Sequence, residues 1–285
     1  MKRLLILSGK GGTGKTTVAA SIIKLSNAKA VADCDVDAPN LHLVNKQNIK
    51  PKIFDFFGGD KAQTSLEKCI GCGLCADKCR FNAIEILNGK AQINQYVCEG
   101  CGVCEYICPQ NAVTLNTDIA GKRELYVDDK VFSTATLKMG RGNSGKLVTE
   151  VKMAMLQNAP ECEIAVTDGS PGIGCPVIAS VSGMDLVLIV AEPSGSGVSD
   201  LKRLCKTAKT FQAKIAVAVN KYDISCEHTQ EIQTFCQNQE IPFVGKIPYD
   251  IQAVKAANEG VSLIDIDCLA GRAIKDIYEE IKKLL

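Results

Sequence analysis

The sequence predicts an α/β protein whose doubly wound, mostly parallel sheet is interrupted by a smaller α+β insertion. Short apolar runs typical of buried strands alternate along the chain with segments of helical character, as in a parallel sheet with helices on both faces. From about Asp60 to Asp118 this alternation stops and cysteines become dense. We therefore predict one sheet domain from residues 1–59 and 119–285, and an insertion from residues 60–118.

The predicted elements follow from hydrophobic periodicity and from the residues that bound each run. Strands are predicted at residues 3–8, 29–35, 163–167, 185–191, 214–220 and 241–247, and helices at residues 16–25, 198–211, 227–237, 251–258 and 269–284. Inside the insertion, Asn88-Gly89 lies between two short alternating runs and predicts a β-hairpin. The C-terminal helix is amphipathic, and we expect it to pack on the core rather than on a membrane.

Composition limits the classes of function. The chain has 285 residues, of which 46% are hydrophobic, and its formal charge of +1 gives no electrostatic basis for binding nucleic acid. Two histidines argue against a histidine-based site. Fifteen cysteines occur without a secretory signal and without the ~18-residue apolar run of a membrane span. We therefore expect a cytoplasmic protein whose clustered cysteines bind metal rather than form disulfides.

Residues 9–17, GKGGTGKTT, predict a phosphate-binding loop between the first strand and the first helix. Its glycines allow backbone N–H groups to face phosphate oxygens, and the following helix adds its positive N-terminus. Lys15 supplies a charge for the β- and γ-phosphates, and Thr16 a hydroxyl ligand for Mg²⁺. The predicted nucleotide-binding residues are Gly9, Lys10, Gly11, Gly12, Thr13, Gly14, Lys15, Thr16 and Thr17.

Two cysteine blocks in the insertion share one spacing, C-x2-C-x2-C-x3-C, and begin 29 residues apart. This is the pattern of bacterial ferredoxins with two [4Fe–4S] clusters, in which the fourth cysteine of each block ligates the other cluster. The predicted ligands are Cys69, Cys72, Cys75 and Cys108 for cluster 1, and Cys98, Cys101, Cys104 and Cys79 for cluster 2. Zinc is the alternative occupant, because paired cysteines also bind zinc. Arg80 replaces the proline of the pattern, and we expect its charge to raise the potential of the cluster near it.

The loop GKGGTGKTT, with its additional Lys10, resembles the deviant Walker A motif of the MinD/Mrp/ParA and nitrogenase iron protein ATPases. The resemblance covers nearly the whole chain, which is similar to MinD-superfamily P-loop ATPases with an inserted two-cluster ferredoxin domain. It implies Mg²⁺-dependent ATP hydrolysis by a homodimer, in which Lys10 reaches the nucleotide of the partner subunit as an arginine finger does.

The same resemblance implies roles for carboxylates at strand ends. The run DCDVD at 33–37 resembles the switch I segment of the family, and among its carboxylates we favour Asp35 as the one that orients the attacking water. Asp168 opens DGSPG, which resembles the Walker B and switch II segment. The resemblance therefore implies that Asp168 holds Mg²⁺, with Thr16 as a second ligand.

Two later segments resemble the adenine-contacting segments of these ATPases. They contribute Asn220, which ends a predicted strand, and Pro248 in the string IPYD. ATP is the expected nucleotide by resemblance. The string NKYD at 220–223 also matches the guanine-binding motif NKxD, so a competition experiment must decide between ATP and GTP.

Cys175 is a further candidate ligand, seven residues beyond Asp168 in DGSPGIGC. In the nitrogenase iron protein a cysteine at this spacing ligates a cluster shared between subunits. The second ligand of that family is not identifiable in this sequence, and packing is the alternative role for Cys175.

Three hypotheses for the function remain after these assignments. The first is an ATPase that couples ATP-gated dimerisation to iron–sulfur or metallocofactor assembly or carriage on a protein partner. The second is an ATP-dependent electron donor to a partner protein. The third is a non-redox ATP switch in which the clusters are structural. Because the insertion begins soon after Asp35, contacts of that residue with the γ-phosphate are expected to move the cluster segment.

Overall fold

The computed structural model describes the whole chain, Met1–Leu285, and divides it into two compact units. The larger unit comprises Met1–Ile53, Arg123–Thr136 and Ser144–Leu285, and the smaller unit comprises Phe54–Lys122 and Leu137–Asn143. None of the helices combines the length and apolar character that crossing a bilayer requires.

Strands and helices are numbered here in chain order. The strands are β1 (Lys2–Leu7), β2 (Ala30–Asp33), β3 (Lys52–Thr64), β4 (Ile84–Leu87), β5 (Lys90–Ile93), β6 (Val113–Val127), β7 (Val131–Leu137), β8 (Ile164–Asp168), β9 (Leu186–Ala191), β10 (Lys214–Asn220) and β11 (Phe243–Ile247). The α-helices are α1 (Lys15–Ser26), α2 (Leu74–Asp77), α3 (Val103–Tyr106), α4 (Ser144–Asn158), α5 (Cys175–Val181), α6 (Gly195–Thr210), α7 (Cys226–Asn238), α8 (Ile251–Glu259) and α9 (Leu269–Leu284).

The sheet of the larger unit is mostly parallel, which confirms the mostly parallel α/β part of the predicted fold class. Its strands lie in the order β11-β10-β9-β1-β8-β2-β7, and each neighbouring pair in this series is parallel. Residues 123–127 of β6 follow next in the strand order. The central position of β1 brings the predicted phosphate loop to the middle of the sheet.

Helices cover both faces of this sheet because successive residues of a strand point to opposite sides. Leu4 and Ile6 of β1 belong to one buried cluster, which includes residues of α1 and α9. Leu5 and Leu7 belong to the other, which includes residues of α5, α6 and α7. The buried isoleucines of α9 confirm that the C-terminal helix packs on the core.

The carboxyl ends of parallel strands lie at one edge of a sheet, where α/β proteins bind ligands. At this edge β1 leads into the phosphate loop, and β2 and β8 end at Asp33 and Asp168, which are register partners. Asn220 ends β10 two strands from β1. The topology therefore gathers residues that are more than 200 positions apart in the sequence.

In the smaller unit, β3 and β6 are neighbouring strands, and β4 and β5 form the antiparallel hairpin that Asn88-Gly89 predicts. Both turn residues have positive φ, 51° for Asn88 and 69° for Gly89, as a two-residue hairpin turn requires. The core of this unit is built mainly from alanines and motif cysteines rather than from large apolar side chains.

The structure differs from the sequence prediction in several places. Strand β2, predicted at residues 29–35, ends at Asp33. The Asp33 carboxylate accepts the backbone N–H groups of Asp35, Asn40 and Leu41, and the chain turns there. The long strands β3 and β6 were not predicted. Residues 137–143 lie in the smaller unit, where Arg141 pairs with Asp118 at 2.6 Å.

Candidate nucleotide site and cysteine pockets

The predicted phosphate loop connects β1 directly to α1, which begins at Lys15. Gly14 precedes the helix with φ of 87°, a left-handed conformation that side chains rarely adopt. A Cβ at this position would also collide with the side-chain nitrogen of Asn220. Glycine is therefore required at position 14 both by the backbone conformation and by the close approach of β10.

Lys15 forms a buried ion pair with Asp168 at this strand edge. The ammonium Nζ lies 2.5 Å from Asp168 Oδ1, and the two side chains are only 5% and 0% exposed. The second oxygen, Asp168 Oδ2, is buried and has no hydrogen-bond partner, and neither has Thr13 Oγ1. Buried polar atoms are normally paired, so these two atoms indicate that the site is built to receive a further polar ligand.

The carboxylates of Asp33, at the end of β2, and Asp35, just after it, lie within the electrostatic influence of this pair. Burial and repulsion from Asp168 raise the pKa of Asp33 to about 7, although the N–H groups of Leu41 and Asp35 and the charge of Lys15 oppose the shift. Burial is also the main cause of the raised pKa of Asp35, which Lys15 opposes. Asp35 is half-buried, whereas Asp37 is exposed. Asp35, the residue favoured from the sequence, is thus partly exposed to solvent, and the charge of Lys15 acts on its carboxylate.

Lys10 does not point to the other residues of its own loop. Its Nζ lies 2.5 Å from Glu192 Oε2, and 3.4 Å from the hydroxyls of Ser194 and Ser196. Glu192 follows β9 and is not among the residues predicted from the sequence. Only its position after a buried apolar strand, at the edge where the loop also lies, could have suggested it.

The predicted base-binding residues meet at one pocket. Asn220 donates its side-chain N–H to the carbonyl of Thr13 at 2.7 Å, and Lys221 donates its ammonium to the carbonyl of Gly12 at 3.2 Å. Pro248 lines the same pocket as Asn220 and Gly14, and the apolar side of α8 supplies much of the remaining wall. The structure therefore places Asn220 and Pro248 in the lining of one pocket, and their contact with adenine stays a prediction.

The eight motif cysteines line two separate pockets in the smaller unit. Cys69, Cys72, Cys75 and Cys108 line pocket A, and Cys98, Cys101, Cys104 and Cys79 line pocket B. Each pocket thus combines three cysteines of one block with the fourth cysteine of the other, which is the grouping that the sequence pattern predicts.

The cysteines of the two pockets also share their surroundings. The first and third cysteines of each block are buried, the second is exposed, and the fourth is intermediate. Backbone N–H groups of Ala83 and Ala112 point to the sulfurs of Cys79 and Cys108, each at 3.3 Å. No group of three or more His, Cys, Asp and Glu side chains is arranged to hold a single metal ion.

Among the cysteines outside the two blocks, Cys175 is the further candidate ligand predicted from the sequence. Cys175 is exposed and begins α5, beside Gly145 of α4. Cys34 is fully buried, and burial raises the pKa of its thiol.

Lys152 contacts the C-terminal end of α5, where its ammonium donates to the carbonyls of Ala179, Ser180 and Ser182 at 2.6–2.7 Å.

A glycine-rich loop between the first strand and first helix of a parallel sheet, facing a buried aspartate at a neighbouring strand end, defines a P-loop nucleotide-binding protein. The chain belongs to the CobQ/CobB/MinD/ParA nucleotide binding domain family, whose family model matches residues 4–264.

Relatives from archaea cover almost all of the chain. An uncharacterized protein of Methanocaldococcus jannaschii is 32% identical over 99% of this chain and 97% of its own length. An iron-sulfur cluster carrier protein of the same organism is 22% identical over 98% of this chain and 83% of its own length. Among solved structures, the septum site-determining protein MinD of Pyrococcus horikoshii, complexed with Mg-ADP, has a TM-score of 0.60. It is 18% identical and covers 99% of this chain and 96% of that one, so the likeness concerns the fold.

Proposed function

We propose that this protein hydrolyses ATP and couples ATP-gated dimerisation to the assembly or carriage of iron–sulfur clusters on a protein partner. The observation that carries the proposal is the presence, in one chain, of a P-loop with its buried Lys15–Asp168 pair and of two pockets lined by four cysteines each. The similarity to a protein named as an iron-sulfur cluster carrier supports the assembly role. We expect the chain to work in the cytoplasm as a homodimer.

The proposed nucleotide chemistry uses the residues at the strand edge. Backbone N–H groups of the loop and the Lys15 ammonium would hold the phosphates, and Thr16 and Asp168 would hold Mg²⁺, which neutralises phosphate charge when bound. The unpartnered Asp168 Oδ2 fits this role, because oxygen ligands are what Mg²⁺ prefers. Asp35 would orient the attacking water, and Lys10 would act on the nucleotide of the partner subunit.

ATP is proposed over GTP because of the position of Asp223, the last residue of the NKYD string. In a guanine-binding NKxD motif this carboxylate must be free to accept N–H groups of the base. Here Asp223 Oδ1 already accepts the backbone N–H of Tyr249 at 2.8 Å, and Asp223 does not line the pocket of Asn220 and Pro248. We expect ATP, and not GTP, to displace a fluorescent nucleotide from the site.

Residues 60–118 are proposed to form a ferredoxin-like insertion with two [4Fe–4S] clusters. Pocket A would hold cluster 1 and pocket B cluster 2, and each cluster would supply one-electron redox capacity. Thiolates are the ligands of such clusters, and N–H groups directed at sulfur stabilise them. Zinc needs four ligands about 2.3 Å from one point, whereas these cysteines are not gathered for a single ion.

An ATP-dependent electron donor is the second candidate function. The exposure of Cys72 and Cys101 favours it, because a cluster near the surface can exchange electrons with a docked partner. The two functions differ in outcome. A carrier would lose iron to an apo-protein acceptor in the presence of ATP, whereas a donor would reduce its acceptor and keep its iron.

The test begins with protein purified without oxygen, in which iron and sulfide are counted. We expect eight iron atoms per chain, and ATP-stimulated transfer of them to an apo-ferredoxin. Cys108→Ala should lower the iron content by about half, since it removes one ligand of pocket A only. Cys162→Ala, a cysteine outside the two blocks, is the control and should change nothing. Zinc in place of iron would overturn the proposal.

A further inference from the structure

The smaller unit contains a repeat that extends beyond its cysteines. The string Lys61-Ala62-Gln63 precedes the first block, and Lys90-Ala91-Gln92 precedes the second, at the same spacing of 29 residues. Ala62 and Ala91 are both buried in the core of the unit. We call the two copies repeat 1, residues 61–89, and repeat 2, residues 90–118.

Backbone hydrogen bonds cross between the repeats in equivalent pairs. Ser65 of repeat 1 donates its N–H to the carbonyl of Ala112 in repeat 2 at 2.7 Å. Asn94 and Ala83 are the residues that the 29-residue shift relates to these two, and Asn94 donates to Ala83 at 2.8 Å. Exchanging repeat 1 with repeat 2 therefore turns one of these hydrogen bonds into the other, as an approximate two-fold symmetry requires.

The lysine that begins each repeat contacts the other repeat. Lys90 of repeat 2 donates its ammonium to the carbonyl of Cys69, in repeat 1, at 2.5 Å. Lys61 of repeat 1 donates to the carbonyl of Cys98, in repeat 2. Both lysines are half-buried, and neither forms an ion pair with a carboxylate. Neither ammonium group therefore has a carboxylate oxygen within 4.0 Å.

Close backbone contact fixes where each lysine lies. A Cβ on Gly71, which follows Cys69, would collide with the carbonyl of Gly89, the residue before Lys90. A Cβ on Gly100, which follows Cys98, would collide with the carbonyl of Asp60, the residue before Lys61. The turn of each cysteine block thus packs directly on the segment that carries the lysine of the other repeat. The Cys69 sulfur also accepts the N–H of Ala91 at 3.4 Å.

We propose that Lys61 and Lys90 are positioning residues that clamp the first cysteine of the opposite repeat and bring a positive charge to one cluster each. Lys90 would serve pocket A, and Lys61 pocket B. A cluster with four thiolate ligands becomes more negative when it accepts an electron, so a fixed cation beside it raises its reduction potential. The inference rests on the proposed function, because it requires that the pockets hold clusters.

The experiment is a redox titration, followed by electron paramagnetic resonance, of oxygen-free protein whose iron content has been measured. We expect Lys90→Met to lower the potential of one cluster signal and Lys61→Met to lower that of the other, with the second signal unmoved in each case. Arginine at either position should restore the potential, because it keeps the charge and the donor. Lys122→Met, which removes an exposed lysine of the same unit, is the matched control and should move neither signal.

The outcomes separate this inference from the proposed function. Wild-type protein without iron overturns the proposed function and the inference together. Full iron content with unmoved potentials in both methionine variants, or equal shifts of both signals in each, overturns the inference alone. Loss of about four irons in one variant, restored by arginine, supports a clamp on that pocket. Loss of all eight in either variant contradicts the assignment of one lysine to one pocket.

Discussion

The Lys15 ammonium lies 2.5 Å from Asp168 Oδ1 in a place from which water is almost excluded. Both groups are expected to have other partners when nucleotide is bound, since Lys15 would face phosphate and Asp168 would face Mg²⁺. In the structure each group satisfies the buried charge of the other. Binding of Mg-ATP must replace this pair with two new charge interactions, which makes the loop and β8 respond to the same event.

Asp168→Asn tests how strongly this pair contributes to stability. Removing one partner leaves the Lys15 charge buried, so we expect the nucleotide-free protein to lose about 3–5 kcal/mol of unfolding free energy. Chemical denaturation measures the loss. Asp185→Asn is the control, because it breaks the Arg3–Asp185 pair, whose side chains are 38% and 35% exposed, and should cost at most about 1 kcal/mol. Equal losses of unfolding free energy in the two variants would show that the buried Lys15–Asp168 pair contributes no more to stability than the exposed Arg3–Asp185 pair.

Asp33 should make the stability of the nucleotide-free protein depend on pH. Its pKa is about 7 in the folded chain and close to 4 when unfolded, so between these values the folded state binds more protons. The unfolding free energy should therefore fall as the pH rises from about 4 to about 7, by up to about 1.4 kcal/mol per pH unit. Urea denaturation at several pH values above about 5 measures the slope.

Asp33→Asn should flatten this slope, while the single amide oxygen at position 33 can still accept the N–H groups of Asn40 and Leu41, which Asp33 Oδ2 accepts in the wild-type chain. The pKa of Asp185 is lowered by Arg3, so Asp185→Asn should leave the slope between about pH 5 and about pH 7 unchanged. A slope that persists in Asp33→Asn would assign the titration to a different group.

Lys10→Ala should separate nucleotide binding from turnover. The lysine bonds Glu192 in the single chain, so its loss leaves the phosphate-binding atoms of the loop in place. If Lys10 acts on the partner's nucleotide, the hydrolysis rate should fall by about 10³-fold while the affinity for ATP changes little. Lys24→Ala, which removes an exposed lysine paired with Asp265, should keep the wild-type rate. Unchanged turnover in Lys10→Ala would contradict a trans-acting lysine.

Cys175→Ser should leave eight iron atoms per chain, because Cys175 lies in the larger unit and lines neither cysteine pocket. Iron and sulfide analysis of oxygen-free protein gives the answer directly. Loss of half of the iron would contradict the ligand assignment. About four irons per pair of wild-type chains beyond the eight expected in each chain, lost in Cys175→Ser, would instead reveal a shared cluster at this residue.

The sequence alone predicts the elements whose residues carry local signals. The strand at Lys214–Asn220 and the helix at Leu269–Leu284 match the structure residue for residue, and the Asn88-Gly89 turn forms the expected hairpin. Strand β3 could not be predicted from the hydrophobic pattern, because most of its residues are exposed and its sequence lacks an apolar–polar alternation.

The partners of the site residues were beyond prediction for a different reason. Glu192 contacts Lys10 across more than 180 positions, and only the strand order brings them together. The string Lys-Ala-Gln before each cysteine block was visible at the known period of 29 residues. The role proposed for its lysine depends on which repeat that lysine contacts, and the 29-residue period alone does not specify the contact.

The exchange of the fourth cysteine between the blocks has a mechanical consequence. A chain cut between Leu87 and Cys98 would leave three cysteines on one side of each pocket and the fourth on the other. Any separation of the two halves would therefore remove one cysteine from each pocket at the same time. If the pockets hold clusters, both would then be exposed to solvent together.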